Sequence, residues 1–133
     1  MAIDYGDART GIAVSDPNGV LSGDAWTINA WNAEKLCEEI CGIVQNREIG
    51  RIVLGYPKNM NGTLGPRAEK SAALAELLRE KTGLEVILWD ERLTTVDAHR
   101  ILSDAGKRGK KRKEKVDAVA ASLILDSYLD SLK

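Results

Sequence analysis

The spacing of apolar positions changes several times along this 133-residue chain. Near the amino terminus they form short extended runs: Met1–Ile3, then Ile12–Val14, then a segment over Ser22–Asn29 that holds Trp26 and Ile28. Gly6 breaks the first run from the second, and Pro17, Asn18 and Gly19 break the second from the third. Three strands with short connections, antiparallel to their neighbours, are predicted. From Ala33 to Arg47 the spacing becomes helical, with Leu36, Cys37, Ile40, Cys41, Ile43 and Val44 on one face.

Two later runs, Arg51–Gly55 (RIVLG) and Glu85–Trp89 (EVILW), are continuous and rich in branched residues, as in strands covered on both sides. Between them lie a loop over Tyr56–Gly65 and a helix from Pro66 to about Lys81, with Leu74, Leu77 and Leu78 inward. Pro66 suits a first helical turn and Gly83 a stop. Thr94 or Thr95 is placed to cap a helix ending near Ala105 and Gly106. A basic loop and a last helix, from about Lys115 to Leu132, complete the chain. Strands alternating with helices imply parallel pairing, and the opening hairpins imply an antiparallel part. The expected fold is α/β: one domain over residues 1–133, with a mixed five-stranded sheet and helices on its faces.

Composition alters this picture little. With 44% hydrophobic residues and a formal net charge of −1, the chain reads as an ordinary globular protein. No apolar run approaches the roughly 20 residues that span a bilayer, and no signal-like segment opens the chain. A cytoplasmic protein without a membrane partner is expected. Cys37 and Cys41, four apart in a helical pattern, read as reduced core residues. Charge is more informative. Seven of the 19 basic residues and one of the 20 acids fall in 107–115 (KRGKKRKEK), leaving 12 bases against 19 acids elsewhere. A loop of +6 thus adjoins a body of −7.

The acids carry the candidate chemistry. Asp4 ends the first strand beside glycines that let a ligand approach the backbone; a solvated turn aspartate is the plainer reading. Asp90 and Glu91 end the EVILW strand. At 100° per residue, Asp117 shares a helical face with Ala120, Ala121, Ile124 and Tyr128, so a carboxylate sits within an apolar stripe. Its alternative is an acid near a helix N-terminus, at the rim. Sites in open sheets form beyond the carboxyl ends of strands. Three or four carboxylates meeting there without His or Cys form an all-oxygen set, suited to Mg²⁺ or Mn²⁺. Such sets perform two-metal phosphodiester hydrolysis, and the adjacent basic loop, with Lys110, Lys111, Arg112 and Lys113, suits a polyanion. Side chains alternate on a strand, so only one of Asp90 and Glu91 enters the site.

Four segments in order, DYGDARTGIAVSD, GYPKNMNGTLGPRAEK, WDERLTT and KVDAVAASLILDSYL, resemble the motifs of the YqgF/RuvX family. Its members have the RNase H-like fold and are described as Holliday junction resolvases or pre-16S rRNA nucleases. The resemblance implies a sheet ordered 3-2-1-4-5 with strand 2 antiparallel, and Asp4, Glu91 and Asp117 as the catalytic, metal-holding acids. It also implies site roles for the loop of Asn59, Asn61 and Gly62, and for Arg92, Thr94 and Thr95. Only three residues precede Asp4, where similar proteins have several more, so a short central strand is expected.

Other residues carry weaker signals. Tyr5 could stack on a base or pack at the sheet edge, and Arg9 and Arg67 could contact phosphates. His99 reads as a surface residue, and Trp26, Trp31 and Trp89 as packing. The function expected is a metal-dependent nuclease on structured nucleic acid, most simply in processing the 5′ end of pre-16S rRNA. Its alternatives are a Holliday junction resolvase on branched DNA, for which a homodimer would suit the two-fold substrate, and a non-catalytic nucleic-acid-binding factor in transcription or ribosome maturation. A nucleotide-binding reading of residues 4–11 ranks last, because phosphate loops of that kind work between two domains.

Overall fold

The computed structural model describes residues 1–6, 9–15, 22–29, 32–56, 65–90 and 109–132, with the backbone alone for residues 22 and 109–117. Five strands, β1 (Ala2–Tyr5), β2 (Arg9–Ser15), β3 (Ser22–Asn29), β4 (Arg51–Tyr56) and β5 (Glu85–Asp90), form one sheet in the order β3-β2-β1-β4-β5. β2 runs antiparallel to β1 and β3, while β4 is parallel to both β1 and β5. The mixed sheet, its order and the antiparallel second strand are as expected.

Three helices are present among the described residues: α1 (Ala33–Asn46), α2 (Pro66–Thr82) and α3 (Gly109–Ser131). Asn32 caps α1 by accepting from Lys35 N–H at 2.9 Å. Pro66 opens α2, and Gly83 ends it with a φ of 70°, a left-handed conformation that favours glycine. The expected helix ending near Ala105 and the Tyr56–Gly65 loop lie mostly outside the described residues.

One boundary is corrected. The run expected as a loop is helical from Gly109, about one and a half turns before Lys115. Lys, Arg and Glu are straight-chain helix formers that lose little rotamer freedom there. Like charge gave the impression of a loop, but it costs only tenths of a kcal/mol per helical pair, about 0.2–0.5.

The helices divide the core in two. On one face α1 and α2 cover Ile3, Ile12, Ile28, Ile52 and Leu54, with Leu36, Ile40, Leu74 and Leu78 packed on them. On the other, α3 lays Ala121, Ile124, Leu125 and Tyr128 over Ala2, Ala13 and Val53. Residues on each strand therefore alternate between two buried clusters, which explains the continuous apolar runs of β4 and β5. Cys37 is buried and Cys41 partly so, and both are free thiols. Trp26 packs at the edge of the first cluster, beneath the Arg47 guanidinium 5.0 Å from its ring centre.

β1 is as short as expected, with four residues paired to β2 and two to β4. The ladder nevertheless extends to Met1, whose carbonyl accepts from Val53 N–H at 2.8 Å while its ammonium donates to the Arg51 carbonyl at 3.1 Å. Beyond it, between β2 and β4, opens a cavity of about 930 Å³ lined by Met1, Val14, Arg51, Leu125 and Tyr128.

Candidate active site

Asp4 lies one residue from the carboxyl end of the central strand, and alternation decides which way it faces. Ile3 and Tyr5 pack with the cluster under α1 and α2, and Ala2 with the cluster under α3. Asp4 therefore belongs to the α3 face. It is partly buried. A Cβ on Gly6 would run into the carbonyl oxygen of Arg9, so the chain can turn this tightly after Asp4 only at a glycine.

Alternation likewise separates Asp90 from Glu91. Val86 and Leu88 pack in the first cluster, whereas Ile87 and Trp89 pack in the second. Asp90 follows Val86 and Leu88, so it stands on the face opposite Asp4. The strand thus removes Asp90 from the candidate acid set; Glu91 lies outside the described residues.

α3 covers the face of the sheet on which Asp4 stands. Its carboxyl-terminal turns, at Leu125, Tyr128 and Leu132, lie over the amino end of β1 beside Met1 and Arg51. Its earlier turns consequently lead toward the end of the sheet where Asp4 lies. Asp117 comes one turn ahead of the buried Ala121 and at nearly the same angle around the helix as Ile124. By helical periodicity, position 117 falls on the same stripe as those residues.

The strand register shows what surrounds Asp4. Asp4 pairs with Gly11 of β2, and Gly11 with Thr27 of β3. On the other side, Ala2 and Ile3 pair with Val53 and Leu54, so the next step sets Asp4 beside Gly55, which pairs with Trp89 of β5. Continuing that register, Thr27, Gly11, Asp4, Gly55 and Trp89 fall in one row on the α3 face. The carboxylate stands at its centre with a bare glycine on each side. Sequence reading missed this row because the residues are scattered between positions 4 and 89, and only the register assembles them.

Of the expected substrate contacts, Arg9 shares the Asp4 face by alternation with Gly11 and Ala13, and it pairs with Asn29. Tyr5 does not: it packs under α1 and α2 and lines a small recess with Gly6, Arg67 and Lys70. Asn59, Asn61, Arg92, Thr94 and Thr95 lie outside the described residues, as do Trp31 and His99. Lys110, Lys111, Arg112 and Lys113 occupy the first turns of α3, ahead of Asp117. Carboxylate oxygen without imidazole or thiolate beside it suits a small hard cation. Among the described residues no group of three His, Cys, Asp or Glu is assembled to hold a metal. None of the described helices is long and apolar enough to cross a membrane.

Known proteins resemble this chain in sequence and in fold. The chain is 46% identical to a protein of Thermoanaerobacter pseudethanolicus named "Putative pre-16S rRNA nuclease", over all of this chain and 96% of that protein. A Clostridioides difficile protein of the same name is 45% identical over 98% of this chain and 92% of its own. Among solved structures, Thermus thermophilus RuvC aligns over 98% of this chain and 93% of that one, with a TM-score of 0.55 at 9% identity. RuvC of T. thermophilus in complex with a Holliday junction substrate gives a TM-score of 0.60 at 10% identity, over 97% and 94% of the two chains. Those likenesses establish a RuvC-like RNase H fold. The profile of the RuvX family, described as Holliday junction resolvase, matches residues 1–131, and this chain belongs to that family.

Proposed function

We propose that this protein is a divalent-cation-dependent nuclease that hydrolyses phosphodiester bonds in structured RNA, acting at the 5′ end of precursor 16S rRNA. The observation that carries the reading is Asp4, a carboxylate centred in the sheet on the face that α3 covers. The names of two similar relatives support the substrate.

In this reading Asp4, Glu91 and Asp117 hold Mg²⁺ or Mn²⁺ through carboxylate oxygens alone. When bound, the cations supply activation of water and neutralisation of charge on the phosphodiester. Arg9, on the same face as Asp4, contacts a phosphate beside the acids. Lys110, Lys111, Arg112 and Lys113 draw the nucleic-acid backbone toward the start of α3, and the acid that follows them lies next to the bound strand. Tyr5 faces away from this path and does not stack on a base over Asp4. Asn59, Asn61, Arg92, Thr94 and Thr95 complete the substrate contacts.

A branched-DNA substrate is the second reading, favoured by the family description and by the RuvC complex of the same fold. One assay separates the two: purified protein with Mn²⁺, offered a precursor 16S 5′ leader and a four-way junction in parallel. The first reading expects cleavage of the leader. Asp4→Asn should lower it by at least about 100-fold, since even outer-shell partners of a bound metal cost 10–100-fold. Cleavage of the junction alone would establish the second reading. Undiminished cleavage in Asp4→Asn would overturn both, since it would not depend on the Asp4 carboxylate, and absence of cleavage of either substrate by the wild type would favour a binding factor without catalysis.

A further inference from the structure

The cavity at the amino end of β1 has the width and the register of a strand. β2 and β4 flank β1, so two strand spacings, roughly 9–10 Å, separate them where β1 stops. Ala2 pairs with Ala13 on one side and with Val53 on the other. Continuing that register, Met1 stands opposite Val14, and the next place in line falls between Ser15 of β2 and Arg51 of β4. Both of those residues line the cavity. Met1 bonds across to β4 as a strand residue does, donating to the Arg51 carbonyl and accepting from Val53 N–H. The N–H and C=O of a strand residue point to the same side, so the Arg51 N–H opens into the cavity as well.

A cation stands at the inner end. The Met1 ammonium is buried, and burial alone lowers its pKa from 8.0 to about 6. It donates to a carbonyl, and no acid pairs with it among the described residues; nearby, Asp24 is held by Arg47 and Glu85 by Arg51. A buried cation is costly without a counter-charge. The α3 side of the cavity is apolar, with Leu125, Leu129 and Leu132, and Leu132 is 59% exposed. Side chains alternate along a strand, so the place before Met1 shares the face of Ala2 and adjoins these leucines.

We propose that this cavity binds the carboxyl-terminal end of an extended peptide. The peptide continues the line of β1, parallel to β4 and antiparallel to β2. Its terminal carboxylate pairs with the Met1 ammonium, and its last side chain, an aliphatic one, packs on Leu125, Leu129 and Leu132. The carbonyl of its penultimate residue accepts from Arg51 N–H. Strand addition supplies affinity through the main chain, while the carboxylate and the aliphatic side chain supply specificity. An alkyl carboxylate would meet the ammonium and the leucines but would leave the strand groups without partners. The site lies at the opposite end of β1 from Asp4 and stands independently of the nuclease reading.

The test titrates the wild-type protein at pH 6.5 with a fluorescein-labelled peptide ending in isoleucine, as free acid and as carboxamide, read by fluorescence anisotropy. The free acid should bind at least about tenfold more tightly than the carboxamide, as expected of hydrogen bonds to a charged group. It should also bind more tightly than a free acid ending in aspartate. Acetylating the amino terminus of the protein should abolish the preference for the free acid. Leu132→Asp, at an exposed position, should weaken binding with melting temperature unchanged. Equal affinity for all three peptides, or no binding of any, would overturn the proposal. A chain lengthened by methionine, lysine and isoleucine ahead of Met1 supplies the competing occupant. If it melts higher than the wild type while the wild type binds no peptide, the cavity accommodates an amino-terminal continuation of β1 and the proposal fails.

Discussion

Arg51 Nη1 donates a 2.7 Å hydrogen bond to the hydroxyl of Tyr128, joining the first residue of β4 to the last turns of α3 across 77 positions of sequence. Arg51 also meets Glu85 at the start of β5, with Nε 3.1 Å from the carboxylate. The amino end of the parallel sheet is thereby tied to the carboxyl end of the helix that covers it. Because α3 is continuous from Gly109 to Ser131, fixing that end helps to set where Asp117 falls at the other.

Replacing Tyr128 tests the tie. Tyr128 is buried, with its ring edge-on to Trp89. Tyr128→Ala should cost about 3–5 kcal/mol, as large aromatic truncations in cores do. Tyr128→Phe keeps the ring and loses only the hydroxyl, so a much smaller loss is expected. Urea unfolding of the two variants checks this, and a Tyr128→Ala midpoint equal to that of the wild type would show that α3 is held without it.

The amino terminus should make stability depend on pH. Burial pushes the Met1 amino group down from 8.0 to about 6. Between those values the unfolded chain binds the proton more readily than the folded one, so the free energy of unfolding rises with pH. Stability is fully present above pH 8 and declines as pH falls toward 6. Two units correspond to as much as about 2.7 kcal/mol. Urea titrations from pH 5.5 to 8.5 should show this slope in the free-amine protein and lose it after amino-terminal acetylation. Parallel curves for the two forms would contradict it.

The basic start of α3 should govern affinity through salt. Replacing Lys110, Lys111, Arg112 and Lys113 with glutamine is expected to weaken nucleic-acid binding and to flatten the dependence of log K on log salt. The slope should fall by about 0.7–0.9 for each phosphate contact removed. Measured in Ca²⁺ to suppress turnover, Asp4→Asn should bind with a nearly wild-type slope. An unchanged slope in the lysine–arginine variant would place the binding surface elsewhere.

The periodic part of the fold was legible in sequence because it is local. Apolar runs over Met1–Ile3, Arg51–Gly55 and Glu85–Trp89 became strands, and the stripe around Ala121, Ile124 and Tyr128 became the buried face of α3. The boundary at Lys115 was misplaced because like charge resembles a loop, whereas the backbone follows helix propensity. The sheet order was implied by family resemblance and was not contained in any one segment.

What the sequence by itself determined, then, was which segments are strands or helices, and that position 117 shares a helical face with apolar residues. Tertiary structure alone decided which face each strand residue occupies and which residues lie side by side. Alternation says that Asp90 and Glu91 face opposite ways; only the packing of Leu88 and Trp89 in separate clusters says which way Asp90 faces. Likewise nothing near Asp4 in sequence announces Gly55 or Trp89, because a strand's neighbours are chosen by pairing across the sheet, where residues far apart in the chain come within hydrogen-bonding distance.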